Sequence, residues 1–381
     1  MKKYKLGDIL ELQRGYDLPH SEMEEGNVPV AGSSGIIGYH SISKIDPPCI
    51  TIGRSGSVGK LFFYNEAIWP HNTSLYIKSF KNNNEKYIFY LLKTVDFERL
   101  CDSSVVPSLN RNFVYPIKVP FYDNIADQQK IAAVLSSLDD KIALNNRINA
   151  KLEQMAKRLY DYWFVQFDFP NADDKPYKST GGKMVWNEEL KREIPEGWEV
   201  GILSDIANIT MGQSPEGSSY NEDGKGTIFY QGSTDFGIRF PTVRMYTTEP
   251  TRFAKKGDIL MSVRAPVGAV NIANTDCCIG RGLAALNSKI GSITYLWYLM
   301  DVFKHTFENK NAAGTTFGSI TKDELFNLPV VIPSNDVILA FNKKTLSIFN
   351  YQLSIEKETQ KLTALRDRLL PLLMNGQVNV I

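Results

Sequence analysis

The sequence predicts an α+β fold: two tandem α/β-mixed domains separated by an antiparallel coiled coil of two long helices, the whole forming a pseudo-two-fold internal repeat. Three observations carry this expectation. Residues 127–167 hold an unbroken heptad pattern without Gly or Pro. A second heptad run follows Pro333, with Phe341, Ile348, Ile355, Leu362 and Leu369 each seven apart. The stretches that precede these two runs resemble one another in order, at a period of about 200 residues.

Taken along the chain, residues 1–125 read as the first domain. They show short apolar runs broken by turn residues (PVAGSSGIIGYH, CITIGRSGSVGKLFFY, TSLYIKSF, FVYPIKVPF). A helical insert is expected at EKYIFYLLKTVDFERLC, with Tyr87, Leu91, Leu92 and Val95 on one face. Residues 126–167 form the first long helix. Its expected seam is Ile131, Val134, Leu138, Ile148, Leu152, Met155, Leu159 and Tyr162, with Lys141 and Asn145 at the remaining two positions. A polar residue there fixes register, or else this stretch faces solvent or another protein. A helix of about 35 residues spans roughly 50 Å and is stable only when a second helix covers so narrow a seam.

Residues 168–193, rich in Pro, Gly, Asp and Lys and without periodicity, are expected to be an exposed linker. Residues 194–333 form the second domain and 334–381 the second long helix, where Pro371 and Gly376 punctuate the last turns. Each helix leaves a domain at its own N-terminal end. Antiparallel pairing is therefore expected to carry the two domains to opposite ends.

The repeat is read from matching pieces. LGDI (6–9) matches LSDI (203–206), and Gly15 then matches Gly212 in the same register. ITIGRSGSVGKL (50–61) resembles ILMSVRAPVGAV (259–270), read with Arg54 opposite Arg264 and Gly59 opposite Gly268. VPSLNRN (106–112) resembles FGSITKD (317–323), and PIKVP matches PVVIP.

Composition sets bounds. At 381 residues, more than one hydrophobic core is expected. A net charge of +1 gives no overall bias toward nucleic acid or membrane, although a balanced total can hide a basic face. The four cysteines Cys49, Cys101, Cys277 and Cys278 lack metal-ligand spacing and are expected as buried thiols. No signal peptide and no membrane-length apolar run is seen, so a soluble, cytoplasmic protein is expected.

Candidate chemistry lies in loops. GRSGSVGK (53–60) fails the phosphate-loop pattern twice, because Arg54 replaces its first Gly and Leu61 its Ser or Thr. A turn presenting Arg54, Ser55, Ser57 and Lys60 to a ligand fits better. Asp46-Pro47-Pro48-Cys49 resembles the loop with which amino-methyltransferases hold a target amine, but Cys49 stands where an aromatic must stack on the base. The histidines show no zinc spacing and no hydrolytic triad is supported, so neither catalytic residues nor a metal are expected. His71, Asn72 and Thr73 cluster short donors and acceptors, as do Ser108, Asn110, Arg111 and Asn112. In the second half the comparable set is Arg264, Arg281, Thr315, Thr316, Ser319, Thr321 and Lys322.

With these pieces in place, the chain resembles the specificity (S) subunit of a type I restriction-modification system over essentially its whole length. The carriers are KIAAVLSSLDDKIALNNRINAKLEQMAKRLYDYWFVQFDF, IPEGWEVGILSDI, VPSLNRNFV, PIKVP and LTALRDRLLPLLMNGQV. The resemblance implies two target-recognition domains, each reading half of a bipartite sequence in double-stranded DNA, and a helix pair that spaces them. It implies a chain that is not catalytic and binds no cofactor, assembled with two modification subunits that use S-adenosylmethionine. Restriction subunits using ATP and magnesium are implied for the full complex. On this reading Arg54, Lys60, Arg111, Arg264, Arg281 and Lys322 position the duplex through phosphates, while Asn, Ser, Thr and Arg in the same loops read bases. GSITKD in place of PSLNRN, and GRGLAAL in place of HNTSLYI, are the departures in the second domain. The competing readings are an orphan or truncated interaction scaffold and a stand-alone DNA methyltransferase.

Overall fold

The computed structural model describes the backbone of residues 1–100, 108–312 and 318–380, and the side chains of these apart from 306 and 308–312. The first domain begins with β1 (Lys2–Lys5), α1 (Leu6–Ile9), β2 (Glu11–Arg14), β3 (Val28–Gly32) and β4 (Gly35–His40). It continues with β5 (Cys49–Gly53), β6 (Leu61–Tyr64), β7 (Trp69–Pro70) and β8 (Ser74–Ser79). It ends with α2 (Glu85–Leu92), α3 (Arg111–Val114) and β9 (Lys118–Phe121), before the long α4 (Ile125–Tyr160).

After a hairpin of β10 (Met184–Asn187) and β11 (Arg192–Pro195), the same order returns in β12 (Glu199–Ile202), α5 (Leu203–Ile206) and β13 (Ala207–Met211). There follow β14 (Tyr220–Asn221), β15 (Thr227–Tyr230), β16 (Tyr246–Thr247), β17 (Phe253–Ala254), β18 (Ile259–Ser262) and β19 (Val270–Ile272). Then come β20 (Cys277–Ile279), β21 (Leu283–Ser288), α6 (Ile293–Ala312), α7 (Lys322–Phe326), β22 (Pro329–Ile332) and α8 (Asn335–Met374).

The sheets repeat as the elements do. The first domain has the order β2-β8-β5-β6 and the second β13-β21-β18-β19. A parallel pair, β3 with β7 and β15 with β20, lies in the other sheet of each. Antiparallel pairs β1 with β9 and β12 with β22 bring each domain's exit beside its entry. Period-two alternation sorts the central strands between two cores. On β5, Ile50 and Ile52 join the cluster built on Tyr87 and Leu91 of α2, while Cys49 joins Ile68 and Tyr64 on the other face. On β18, Ile259 and Met261 meet Tyr295 and Tyr298 of α6, while Leu260 meets Tyr230 and Cys277. Cys49, Cys277 and Cys278 are buried and unbridged; burial pushes the Cys49 thiol up to about 11 and that of Cys277 to about 12. Cys101 lies outside the described residues.

The chain divides into two compact units, Met1–Leu144 with Gln360–Ile381, and Asn145–Thr359. Each unit therefore takes part of both long helices, where the sequence suggested separate spacer segments. In the first unit Ile131 and Leu135 of α4 share a cluster with Leu373 and Met374 of α8, and Arg366 donates to Asp139 at 2.8 Å. In the second, Asn145 donates to Thr359 at 3.2 Å, Gln352 to the carbonyl of Asn149 at 3.3 Å, and Tyr160 faces Phe341 with ring centroids 6.1 Å apart. Within each unit numbers rise along one helix as they fall along the other, so the pairing is antiparallel.

Two expectations need correction. Of the expected seam, Ile131 and Asn145 are buried and Leu138, Leu152 and Leu159 half-buried, while the row that accompanies them is Leu135, Asn149, Ala156 and Trp163, all buried, with half-buried Ile142. Met155 is 60% exposed and Tyr162 37%, Lys141 is exposed, and Val134 and Ile148 flank the seam half-buried. The true row is chemically muted by Asn149 and Ala156, and a helix of 3.6 residues per turn drifts from a strict heptad reading. On α8, Phe341 and Ile355 are buried and Ile348, Leu362 and Leu369 half-buried.

The segment 168–193 is mostly exposed, as expected, but it is anchored to the domain and carries the β10–β11 hairpin rather than running as a structureless linker. Phe169 stacks between Tyr177 and Trp198 at 4.6 and 4.9 Å, and buried Asp168 accepts from the amide and hydroxyl of Ser179. A chain with two aromatic anchors can order a polar stretch that lacks periodicity of its own.

Candidate nucleic-acid interface

In the first domain the site starts from the turn between β5 and β6. Gly56 and Gly59 adopt left-handed φ of 81° and 76°, and the Gly53 and Gly59 amides donate to Lys60 and Gly53 carbonyls at 2.8 and 2.9 Å. The turn thus spends these amides on itself rather than on a phosphate. The next amides, of Arg54 and Ser55, donate to the carbonyl of Thr73 at 2.8 and 3.2 Å. That straps the turn to the His71, Asn72 and Thr73 segment. There His71 Nδ1 lies 2.9 Å from the Thr73 hydroxyl, and burial lowers the imidazole's pKa, which keeps it neutral at pH 7. The Asn72 amide donates to Asp17.

On the other flank, the Leu109 amide donates to the Arg54 carbonyl at 2.8 Å, and Ser55 bridges Ser108. This seats the turn before α3, where Asn110 caps the Asn112 amide at 3.0 Å and Arg111 donates to the Leu12 carbonyl at 3.2 Å. The result is a polar cleft of about 770 Å³ lined by Arg14, Tyr16, Arg54, Ser108, Asn110 and Arg111. Ser55, Ser57, Lys60, His71, Asn72, Thr73 and Asn112 are not among its lining residues; all of these are half-buried except the exposed Lys60 and Asn112.

The second domain builds the same structure. Gly268 (φ 86°) donates to the Ser262 carbonyl at 2.9 Å, Ile320 to the Val263 carbonyl at 2.9 Å, and Arg264 bridges Ser319. Its cleft, about 530 Å³, is lined by Arg264, Arg281, Ser319, Thr321 and Lys322. Thr321 caps the Glu324 amide at 3.3 Å, as Asn110 caps Asn112. Thr315 and Thr316 lie outside the described residues.

The bonds also correct the register of the repeat. The bridges pair Ser55 with Ser108 and Arg264 with Ser319, so Arg264 stands at the place of Ser55, and Arg54 at the place of Val263. Arg281 keeps the place of Asn72 that the match of GRGLAAL to HNTSLYI gives it, since Gly280 and Leu283 bond as His71 and Ser74 do around Gly212 and Gly15.

Sequence reading missed Arg14 and Tyr16. They flank Gly15, whose close approach to the His71 carbonyl leaves no room for a Cβ, and that constraint is the signal that could have located them. Tyr16 and Tyr76 share a 3.0 Å hydroxyl contact, and burial raises the Tyr76 pKa. Arg14 and Asp17, 3.6 Å apart, are too exposed for the pair to hold either rigidly.

The comparisons with known proteins agree with this doubled architecture. A family model described as the type I restriction modification DNA specificity domain matches residues 1–154 and again 195–365. The chain belongs to the type I restriction-modification specificity-subunit family. It is 31% identical over 342 residues to the putative type I restriction enzyme MjaX specificity subunit of Methanocaldococcus jannaschii, covering 86% of this chain and 77% of that one. With the HindI specificity subunit of Haemophilus influenzae the identity is 26%, over 67% of this chain and 68% of the relative. The crystal structure of an S subunit from M. genitalium superposes with a TM-score of 0.66 at 17% identity, covering 98% of this chain and 96% of that one, which shows the shared fold. As a specificity subunit the chain serves DNA sequence recognition and is not catalytic by itself. Among the described residues no helix is long and apolar enough to cross a membrane.

Proposed function

We propose that each recognition domain reads one half of a bipartite duplex target through its polar cleft, and that the paired helices fix the distance between the half-sites. The observation that carries this reading is the repetition of one cleft, framed by the same backbone bonds, in both domains. Two similar readers on one chain suit a split target, because phosphate contacts orient each domain while groove-edge contacts supply sequence. The helices, of 36 and 40 residues, are long enough to act as a ruler of roughly 50 to 60 Å. Two modification subunits carrying S-adenosylmethionine are the proposed partners for methylation, and restriction subunits using ATP and magnesium for cleavage.

The test is a genome-wide map of adenine methylation in cells that carry the chain with its modification subunits, beside cells in which it is deleted. One split motif should vanish on deletion. Removing one heptad from each helix should shorten the preferred spacer while leaving both half-sites; an unchanged spacer would refute the ruler.

A further inference from the structure

The corrected register allows the two clefts to be compared position by position, and some positions keep their chemistry while others do not. Ser108 and Ser319 are both hydroxyls beside the bridge, Leu109 and Ile320 are both buried anchors, Asn110 and Thr321 are both caps, and Arg111 and Lys322 are both exposed cations following the cap. The opposite side is different. Arg54, which lines the first cleft, answers to Val263, and Arg264 and Arg281, which line the second, stand at the places of Ser55 and Asn72, which do not line the first; Tyr16 answers to Gln213, a pair fixed by amides that donate to Pro70 and Ile279 at 2.8 and 3.0 Å.

DNA presents the same phosphates to both domains but different base edges to each, so a backbone contact can be shared between them whereas a base contact must differ if the half-sites differ. We infer that Arg111 and Lys322 are the backbone anchors of the two clefts, and that Arg54 with Tyr16 in the first domain and Arg264 with Arg281 in the second determine which bases are read. This rests on the proposed reading of each cleft as a DNA half-site reader.

The side chains fit the division. The shared cation is Arg in one domain and Lys in the other, an exchange that a phosphate accepts because it needs only a positive charge nearby. Each is steadied by its own domain, Arg111 on the Leu12 carbonyl and Lys322 over the Phe326 ring at 5.3 Å. On the variable wall the cations are all arginines, whose planar fork matches the O6 and N7 acceptors of guanine in the major groove. Guanine in both half-sites is therefore expected, at different positions.

The experiment uses the full chain assembled with its modification subunits, reading the methylated motif and the affinity for motif-bearing and random duplexes across a salt series. Arg111→Ala and Lys322→Ala should weaken both duplexes by a similar factor, lower the salt slope by about one each, and leave the motif unchanged. Arg111→Lys should restore affinity. Arg54→Ala should relax the first half-site alone, and Arg264→Ala or Arg281→Ala the second alone, with discrimination at one base falling about ten-fold; Arg54→Lys should not restore it. The assignment is overturned if Arg111→Lys alters the motif, or if Arg54→Ala and Arg264→Ala weaken all duplexes equally with the motif intact. If the unaltered complex methylates no split motif, the half-site reading itself fails, a result distinct from either of these.

Discussion

The two compact units hold their stretches of the helix pair by different means. In the first, Ile131 and Leu135 meet Leu373 and Met374 in a hydrocarbon cluster that includes Leu6, Tyr87 and Leu91. Its polar tie sits at the edge, where half-exposed Asp139 accepts from Tyr90 at 2.7 Å and from Arg366 at 2.8 Å. In the second, Tyr160, Phe164, Phe341 and Tyr295 form an aromatic nest beside a buried charge. Arg239, 4% exposed, donates to Glu153 and lies over the Trp297 and Phe349 rings at 5.0 and 5.4 Å. Glu153 also accepts from Gln352 at 2.9 Å and from Trp297 at 3.2 Å. Around it, the Asn149 amide, Gln352 Oε1, Glu356 Oε2 and Arg239 Nη1 lack a hydrogen-bond partner among the described residues. Hydrophobic contact is strong and forgiving, while a buried polar network is costly and selective. The second unit is therefore expected to give up some stability for a defined register of helix against helix and of helix against recognition domain.

That contrast can be broken by substitution. A large effect is expected from Arg239→Met, which takes the cation from half-buried Glu153 and the guanidinium from the Trp297 and Phe349 faces, and should destabilise the second unit by about 3 kcal/mol in chemical denaturation. Adding Glu153→Gln should recover part of the loss; a double variant as unstable as the sum of the singles would show that the pair is not coupled. Leu135→Ala in the first unit should cost about 2 to 5 kcal/mol through the cavity it leaves, with no effect specific to pH.

Glu356 gives the second unit a pH dependence. Burial raises its carboxyl pKa, a shift that Arg239 partly opposes, so the folded state disfavours the charged form. The unfolded chain releases this proton at the ordinary carboxylate pKa and the folded chain only above it. The stability lost to this group therefore accrues as pH rises between those two values and persists at neutral pH. Glu356→Gln should flatten that decline and raise stability at pH 7; an unaltered pH profile would remove Glu356 from the account. The smallest effect belongs to Met155→Ser, expected within about 0.5 kcal/mol because that side chain lies outside the seam.

Much of this was legible in the sequence where backbone constraint or period leaves a mark. Gly15 and Gly212 each sit against a carbonyl that excludes any Cβ, and Gly59 and Gly268 each require a left-handed turn, so these pairs betray the repeat despite diverged neighbours. Heptads announce the helices for the same reason. The seam's second row stayed hidden because Asn149 and Ala156 lack apolar bulk while exposed Met155 has it. The Arg54 and Arg264 pairing misled because two arginines one position apart in a turn look equivalent until the bridges to Ser108 and Ser319 are seen. Arg14 and Tyr16 carry no local pattern, and only the strand and cleft that surround them give them meaning.

The central claim, that one chain carries two separable readers on a common spacer, is tested most directly by exchanging residues 194–333 for the second recognition domain of another family member and mapping adenine methylation in cells. The expected result is a new motif that keeps the original first half-site and the original spacer and changes only the second half. A motif altered in both halves, or in neither, would contradict it.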